Sequence, residues 1–191
     1  MTTKRQHRNE EGRPISLNSY ETDLIERPQA GKGIEIIVKS GVIRIAVKQS
    51  KNAEDITVAF ACKADIFKFH YPADLEIIIE AITETTYLIK SISKIESETS
   101  DAIMDWIIQL HIVRHEKNLE NRLMKLFRLL ITRLGKRTPE GLLLEQTLSH
   151  ARIAEIIGST RSTVSRTIST LRVTKQIYID ELKGHIIIPA D

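Results

Sequence analysis

The stretch "SHARIAEIIGSTRSTVSRTISTL", Ser149 to Leu171, constrains this chain more than any other. Its apolar residues keep a helical period, yet it is dense in Ser, Thr and Arg, and Ser and Thr are mediocre helix formers. Ser149 suits an N-cap, where its hydroxyl accepts from the free N–H groups of the first turn. Ile153, Ala154, Ile156 and Ile157 give a short helix a buried face, and Gly158 ends it. Ser159 or Thr160 caps a second helix in which Val164, Ile168 and Leu171 are spaced by four and three. A small residue in the first helix lets the two cross closely. The glycine permits the bend, and the branched residue in the second helix locks the crossing. This is the requirement of a helix-turn-helix.

The outer face of the second helix then carries Arg161, Ser162, Ser165 and Arg166, with Thr163 beside them. Arginine bonds bidentately to guanine O6 and N7 in a major groove. Short hydroxyls reach phosphates or base edges without blocking close approach. The partner this surface fits is double-stranded DNA, with Ser149, Thr163 and Ser165 among the phosphate contacts. Downstream, "QIYID" and "HIIIPAD" flank Lys183-Gly184 and read as a hairpin, the wing of a winged helix. Lys175 and Lys183 also suit phosphate. "LLLEQTL" (142–148) reads as a strand or loop leading in.

Charge agrees. The chain of 191 residues has a formal net charge of +3. Residues 1–110 carry 14 Lys and Arg against 17 Asp and Glu, a net of −3; residues 111–191 carry 14 against 8, a net of +6. A basic C-terminal part points to a polyanion.

Upstream the texture changes. Residues 1–33 are polar and broken by Gly12, Pro14, Pro28, Gly31 and Gly33; they read as a tail with a short strand near Ile15–Leu17. Over 34–98, "IEIIVK", "GVIRIAV", "DITVAFA", "LEIIIEAI" and "TYLIKSI" are short, β-branched and separated by turn signals, which predicts a small antiparallel barrel or sandwich. In "GVIRIAV" alternation places Val42, Arg44 and Ala46 on one face and Ile43, Ile45 and Val47 on the other. Over 99–117 the period becomes helical, with a stripe at Ile103, Trp106, Leu110 and Val113 that suits a core face or a seam between two copies, its charged flanks favouring the seam. Residues 118–191 form the DNA-binding domain. "NRLMKLFRLLITRLG" is a second helix, or the end of one long helix, with Gly135 as its C-cap.

Other classes find little support. No apolar run approaches the roughly 18–20 residues that span a bilayer. "MTTKRQHRNEEGRP" has no apolar signal-peptide core. A single cysteine, Cys62, excludes an internal disulfide framework and points to a reduced, cytoplasmic setting. A ligand- or metal-binding β-barrel with an appended winged helix is the alternative. Such barrels cluster His and Glu around the metal, and the strands offer only His70. A haem or redox sensor would have to use His70 or Cys62. No metal, no cofactor and no enzymatic activity are expected.

Taken together, the strand-rich first half, the central helix and "LSHARIAEIIGSTRSTVSRTISTL" resemble the cyclic-AMP receptor and fumarate–nitrate regulator family of bacterial transcription factors. The resemblance implies an α+β chain: an antiparallel β-roll like a degenerate cyclic-nucleotide-binding domain, a long dimerisation helix and a winged helix-turn-helix. It implies a homodimer on pseudo-palindromic DNA, with RNA polymerase or a regulatory protein as a further partner. It places Arg161 and Arg166 where the family reads guanines, and Ser162 where some members carry a Glu that reads cytosine. His150 and Thr160 fall where phosphates approach. The family's effector cassette is a Phe-Gly-Glu run with a later arginine. Here "DIFKFHYPADLEII" has Lys68 in place of the glycine, and no arginine lies between Arg44 and Arg114. Cyclic nucleotides are therefore not expected to bind, and the effector is left open.

Overall fold

A computed structural model describes residues 12–29, 32–49, 53–72, 74–93, 102–180 and 182–189, with the backbone of Lys4–Arg5 and of Asp101. The chain divides into two compact units, Met1–Ile107 and Ile108–Asp191.

The first unit holds two antiparallel sheets. Their strands are β1 (Lys4–Arg5), β2 (Ile15–Leu17), β3 (Thr22–Ile25), β4 (Gly33–Ser40), β5 (Val42–Lys48), β6 (Ile56–Cys62), β7 (Ile66–His70), β8 (Glu76–Ala81) and β9 (Thr85–Ile92). One sheet runs β1-β3-β8-β5-β6, with β1 added in parallel at its edge, and the other runs β2-β9-β4-β7. This is the β-roll that the resemblance implies, where the strand texture alone predicts a small antiparallel barrel or sandwich. In β4 the even positions Ile34, Ile36 and Val38 are buried, as alternation demands of a sheet with one dry face. The Tyr87 hydroxyl of β9 donates to Asp23 Oδ2 of β3 at 2.6 Å, a polar tie across the core. Burial, with the Asp23 carboxylate beside it, pushes that phenol far above its ordinary pKa. The segment read as a tail is thus built into the roll: β2 pairs with β9 and β3 with β8.

β5 is buried on both faces, not one. Its inner residues Ile43 and Ile45 join the core, and the opposite face holds Arg44, fully buried. Arg44 faces Phe60 on β6 and Glu80 on β8. Its guanidinium donates to Asp55 at 2.7 Å, Glu80 at 2.9 Å and the Thr57 hydroxyl at 2.7 Å. A buried charge is tolerable only when paired and hydrogen-bonded in this way.

Helix α1 (Asp101–Arg114) covers part of that face, with Trp106 tilted against Phe60 at a centroid distance of 5.6 Å. The stripe expected as a seam or core face is the less exposed side of the helix. Trp106, Leu110 and Val113 are buried within a single chain, and Ile103 is half-buried, so the stripe faces its own molecule. The apolar residues left in solvent lie opposite: Met104 (54 % exposed), Ile107, Ile108 (48 %) and Ile112 (49 %).

The second unit continues with α2 (Leu119–Leu134), β10 (Lys136–Thr138), β11 (Gly141–Leu144), α3 (His150–Ile157), α4 (Arg161–Val173), β12 (Tyr178–Asp180) and β13 (His185–Pro189). The helices break between Arg114 and Asn118, whose side chain caps α2 by accepting from Glu120 and Asn121. Gly135 follows α2 in extended backbone rather than as a left-handed cap. A Cβ there would stand 2.4 Å from the Leu143 carbonyl oxygen, so close strand approach is what requires glycine. The strands form one sheet, β10-β11-β13-β12.

Candidate nucleic-acid interface

The site is built around the α3–α4 bend. Ser149 caps α3, its Oγ accepting from the Arg152 N–H at 3.2 Å. Ile153, Ala154, Ile156 and Ile157 are buried. Gly158 then turns left-handed, at φ 64° and ψ 53°. The Ser159 N–H reaches the Ala154 carbonyl at 2.9 Å and the Gly158 N–H reaches that of Glu155 at 3.4 Å, the paired bonds of a Schellman stop. Thr160 opens α4 as N-cap, accepting from the Thr163 N–H at 3.2 Å. Val164, Thr167, Ile168 and Leu171 face inward.

Two arginines clamp this bend, and residue patterns gave no sign of either role. Arg122, on α2, donates Nη1 to the Ile157 carbonyl at 2.7 Å and Nε and Nη2 to the Glu116 carbonyl at 3.0 and 2.8 Å. It thereby satisfies an end carbonyl of α3 that the helix itself leaves open. Arg114 lies against Gly158, where a Cβ would stand 3.1 Å from its Nε. Glu116 also pairs with Lys125, and that hydrogen bond holds its carboxyl below the usual carboxylate range.

The outer face of α4 is exposed at Arg161, Ser162, Arg166, Ser169 and Thr170, with Thr163 and Ser165 half-buried. Among the described residues neither Arg161 nor Arg166 has a carboxylate partner, and α4 contains no acid. The hydroxyls are already engaged with their own helix. Thr160 shares hydrogen bonds with Ser162 at 3.0 Å and Thr163 at 2.8 Å, and Thr167, Ser169 and Thr170 donate to the carbonyls four residues back. Such back-bonding meets the hydroxyl's donor need and leaves lone pairs outward. His150 is half-buried at the first position of α3. Ser149 and Thr160 stand at the starts of the two helices, where unpaired N–H groups favour anions.

Beyond α4, β12 and β13 pair as an antiparallel hairpin whose turn is held by Asp180 accepting from the N–H groups of Leu182 and Lys183. Lys183 sits 3.9 Å from Asp180. In the first unit, Lys68 lies 3.3 Å from Glu35 and Lys90 3.8 Å from the same carboxylate. The Cys62 thiol is pushed up by burial and by the nearby Asp65 charge. Among the described residues no three His, Cys, Asp or Glu side chains group as a metal site, and no helix is long and apolar enough to cross a membrane.

Crossed helices with a glycine stop, followed by a β-hairpin, define a winged helix-turn-helix protein. Residues 122–190 match the model of the Crp-like helix-turn-helix domain. Over 80 residues the chain is 35 % identical to the global nitrogen regulator of Synechococcus elongatus, covering 42 % of this chain and 36 % of that one. The match thus spans about a third of the relative's length. Among solved structures, a CooA mutant from Carboxydothermus hydrogenoformans superposes with TM-score 0.68 at 19 % identity, over 93 % of this chain and 83 % of that one. A CRP/FNR-family transcriptional regulator from Thermus thermophilus gives 0.65 at 16 %, over 93 % and 94 %. The chain has the CRP/FNR fold.

Proposed function

We propose that this chain is a transcription regulator, not an enzyme, that binds duplex DNA in the cytoplasm as a homodimer on pseudo-palindromic sites. The observation that carries the reading is the outer face of α4. Among the described residues it presents two arginines without carboxylate partners, flanked by short hydroxyls, with no acid on the helix. Arg161, Ser162 and Arg166 meet base edges; Ser149, His150, Thr160, Thr163 and Ser165 meet phosphates. The dimer seam is the exposed side of α1, through Met104, Ile107, Ile108 and Ile112. Two copies facing each other there would remove these side chains from water, which stabilises association at about 25 cal/mol per Å². Cyclic nucleotides are not the effector. Lys68 and Lys90 share Glu35, so that patch is already neutralised in part, and lysine lacks the fork that holds a phosphate bidentately.

Selection of bound sequences from a random duplex pool tests this. The expected product is a two-fold symmetric site with half-sites about one helical turn, roughly 34 Å, apart. Asymmetric or unspaced sites would overturn the dimer, and no enrichment at all would overturn DNA recognition.

A further inference from the structure

The exposed side of α1 is not uniformly apolar. Met104, Ile108, His111 and His115 follow one another at steps of four, three and four, which at 100° per residue keeps all four on one line along the helix. Both histidines are exposed, and their rings are stacked one turn apart, centroids 4.2 Å and planes at 54°. His115 lies one residue past the helix, yet its N–H still reaches the His111 carbonyl at 3.0 Å, so helical spacing persists. Arg114, between them in sequence, is turned to Gly158 and does not compete for the same space. Among the described residues neither imidazole has a hydrogen-bond partner. Two imidazoles therefore lie at the C-terminal end of the strip that the proposed dimer would bury, where unpartnered polar atoms are costly.

We propose that His111 and His115, with the same pair from a second copy, form a site for a divalent transition-metal ion of the imidazole-preferring class, with Zn²⁺ as its representative. The site rests on the reading that α1 is the dimer seam. Histidines four apart on a helix present both rings on one face, the arrangement by which a helix offers two nitrogen ligands to one metal. Zinc takes four ligands in a tetrahedron, at about 2.0–2.1 Å from nitrogen. One chain supplies two of them, His111 and His115. A two-fold axis through the strip supplies the other two and places the ion on the axis, one per dimer. Imidazole favours zinc, copper and nickel over magnesium or calcium. Ile108 and Ile112 beside the rings form the apolar surround that limits water. Because the complete site exists only in the dimer, metal affinity adds to dimer affinity.

The test uses the full chain without a histidine tag, in sedimentation and in calorimetric titration with zinc chloride. One zinc per two chains is expected, and at zinc ten times its own Kd the dimer dissociation constant should fall about tenfold. His111→Ala and His115→Ala should each abolish both effects, while His70→Ala changes neither. Both rings are exposed, so these variants keep the fold. Zinc uptake of one per chain, or uptake indifferent to His111 and His115, would overturn the site. A chain that is dimeric without zinc, becomes monomeric with Ile108→Asp and ignores zinc would overturn the metal site and leave the seam standing. A chain monomeric with and without zinc would overturn both.

Discussion

At Gly158 two demands meet: left-handed backbone, and a side that faces the Arg114 guanidinium, which would have to shift by a few tenths of an ångström to admit a methyl group. Gly158→Ala should cost about 1–2 kcal/mol through the backbone alone, measured as a lower denaturation midpoint with unchanged slope. Arg166 answers to a different measurement, since it has no partner to lose within the fold. Arg166→Ala should leave stability unchanged, cost about 1–3 kcal/mol of DNA binding and relax selection at one base pair, read by a competition assay. Arg44 is the reverse case. Its guanidinium is the shared partner of Asp55 and Glu80 in a dry place, and Arg44→Met would leave those carboxylates facing each other. That change should cost about 3 kcal/mol of stability without altering which DNA sequence is preferred.

Among the elements, α1 gives the sharpest test. Leu110→Asp puts a charge inside one chain and should unfold it, seen as loss of cooperative melting. Ile108→Asp puts the same charge on the opposite side and should yield a folded monomer by sedimentation, with much weaker DNA binding. Sequence reading favoured the buried side as the seam because α1 is apolar nearly all round. Ile103, Trp106, Leu110 and Val113 make one stripe, and Met104, Ile107, Ile108 and Ile112 make another. Periodicity finds stripes but does not say which one is buried. By contrast α3 and α4 were legible residue by residue. Their caps, glycine stop and buried positions depend on neighbours within a few residues, and such local signals survive in a sequence. β3 was not legible: four residues, Thr22–Ile25, become a strand only because β8, more than fifty residues on, pairs with them. The clamp by Arg122 was hidden for the same reason, since its acceptor Ile157 is 35 residues away. Alternation divides β5 into two faces but does not say that both are dry, which its burial on both sides shows.

For the molecule as a whole, the charge is divided as the labour is: net −3 over residues 1–110 and +6 over residues 111–191. Binding to DNA should therefore weaken steeply as salt rises, the logarithm of affinity falling linearly with the logarithm of salt concentration. The first unit should give no heat on titration with cyclic AMP or cyclic GMP, and neither nucleotide should tighten DNA binding. Micromolar binding of either would show that the Lys68 region accepts a phosphate after all. The hydroxyls of α4 carry a last consequence, for how such a protein would find its site. Side chains already tied to their own helix have little freedom to lose on meeting DNA and nothing to release on leaving it. Moving from one base pair to the next then costs little except at Arg161 and Arg166, whose long side chains must be ordered afresh at each step. The face is smooth for travel along the duplex and catches only where two guanines stand at the right separation, so speed of search and strength of arrest are set by different residues on a single helix.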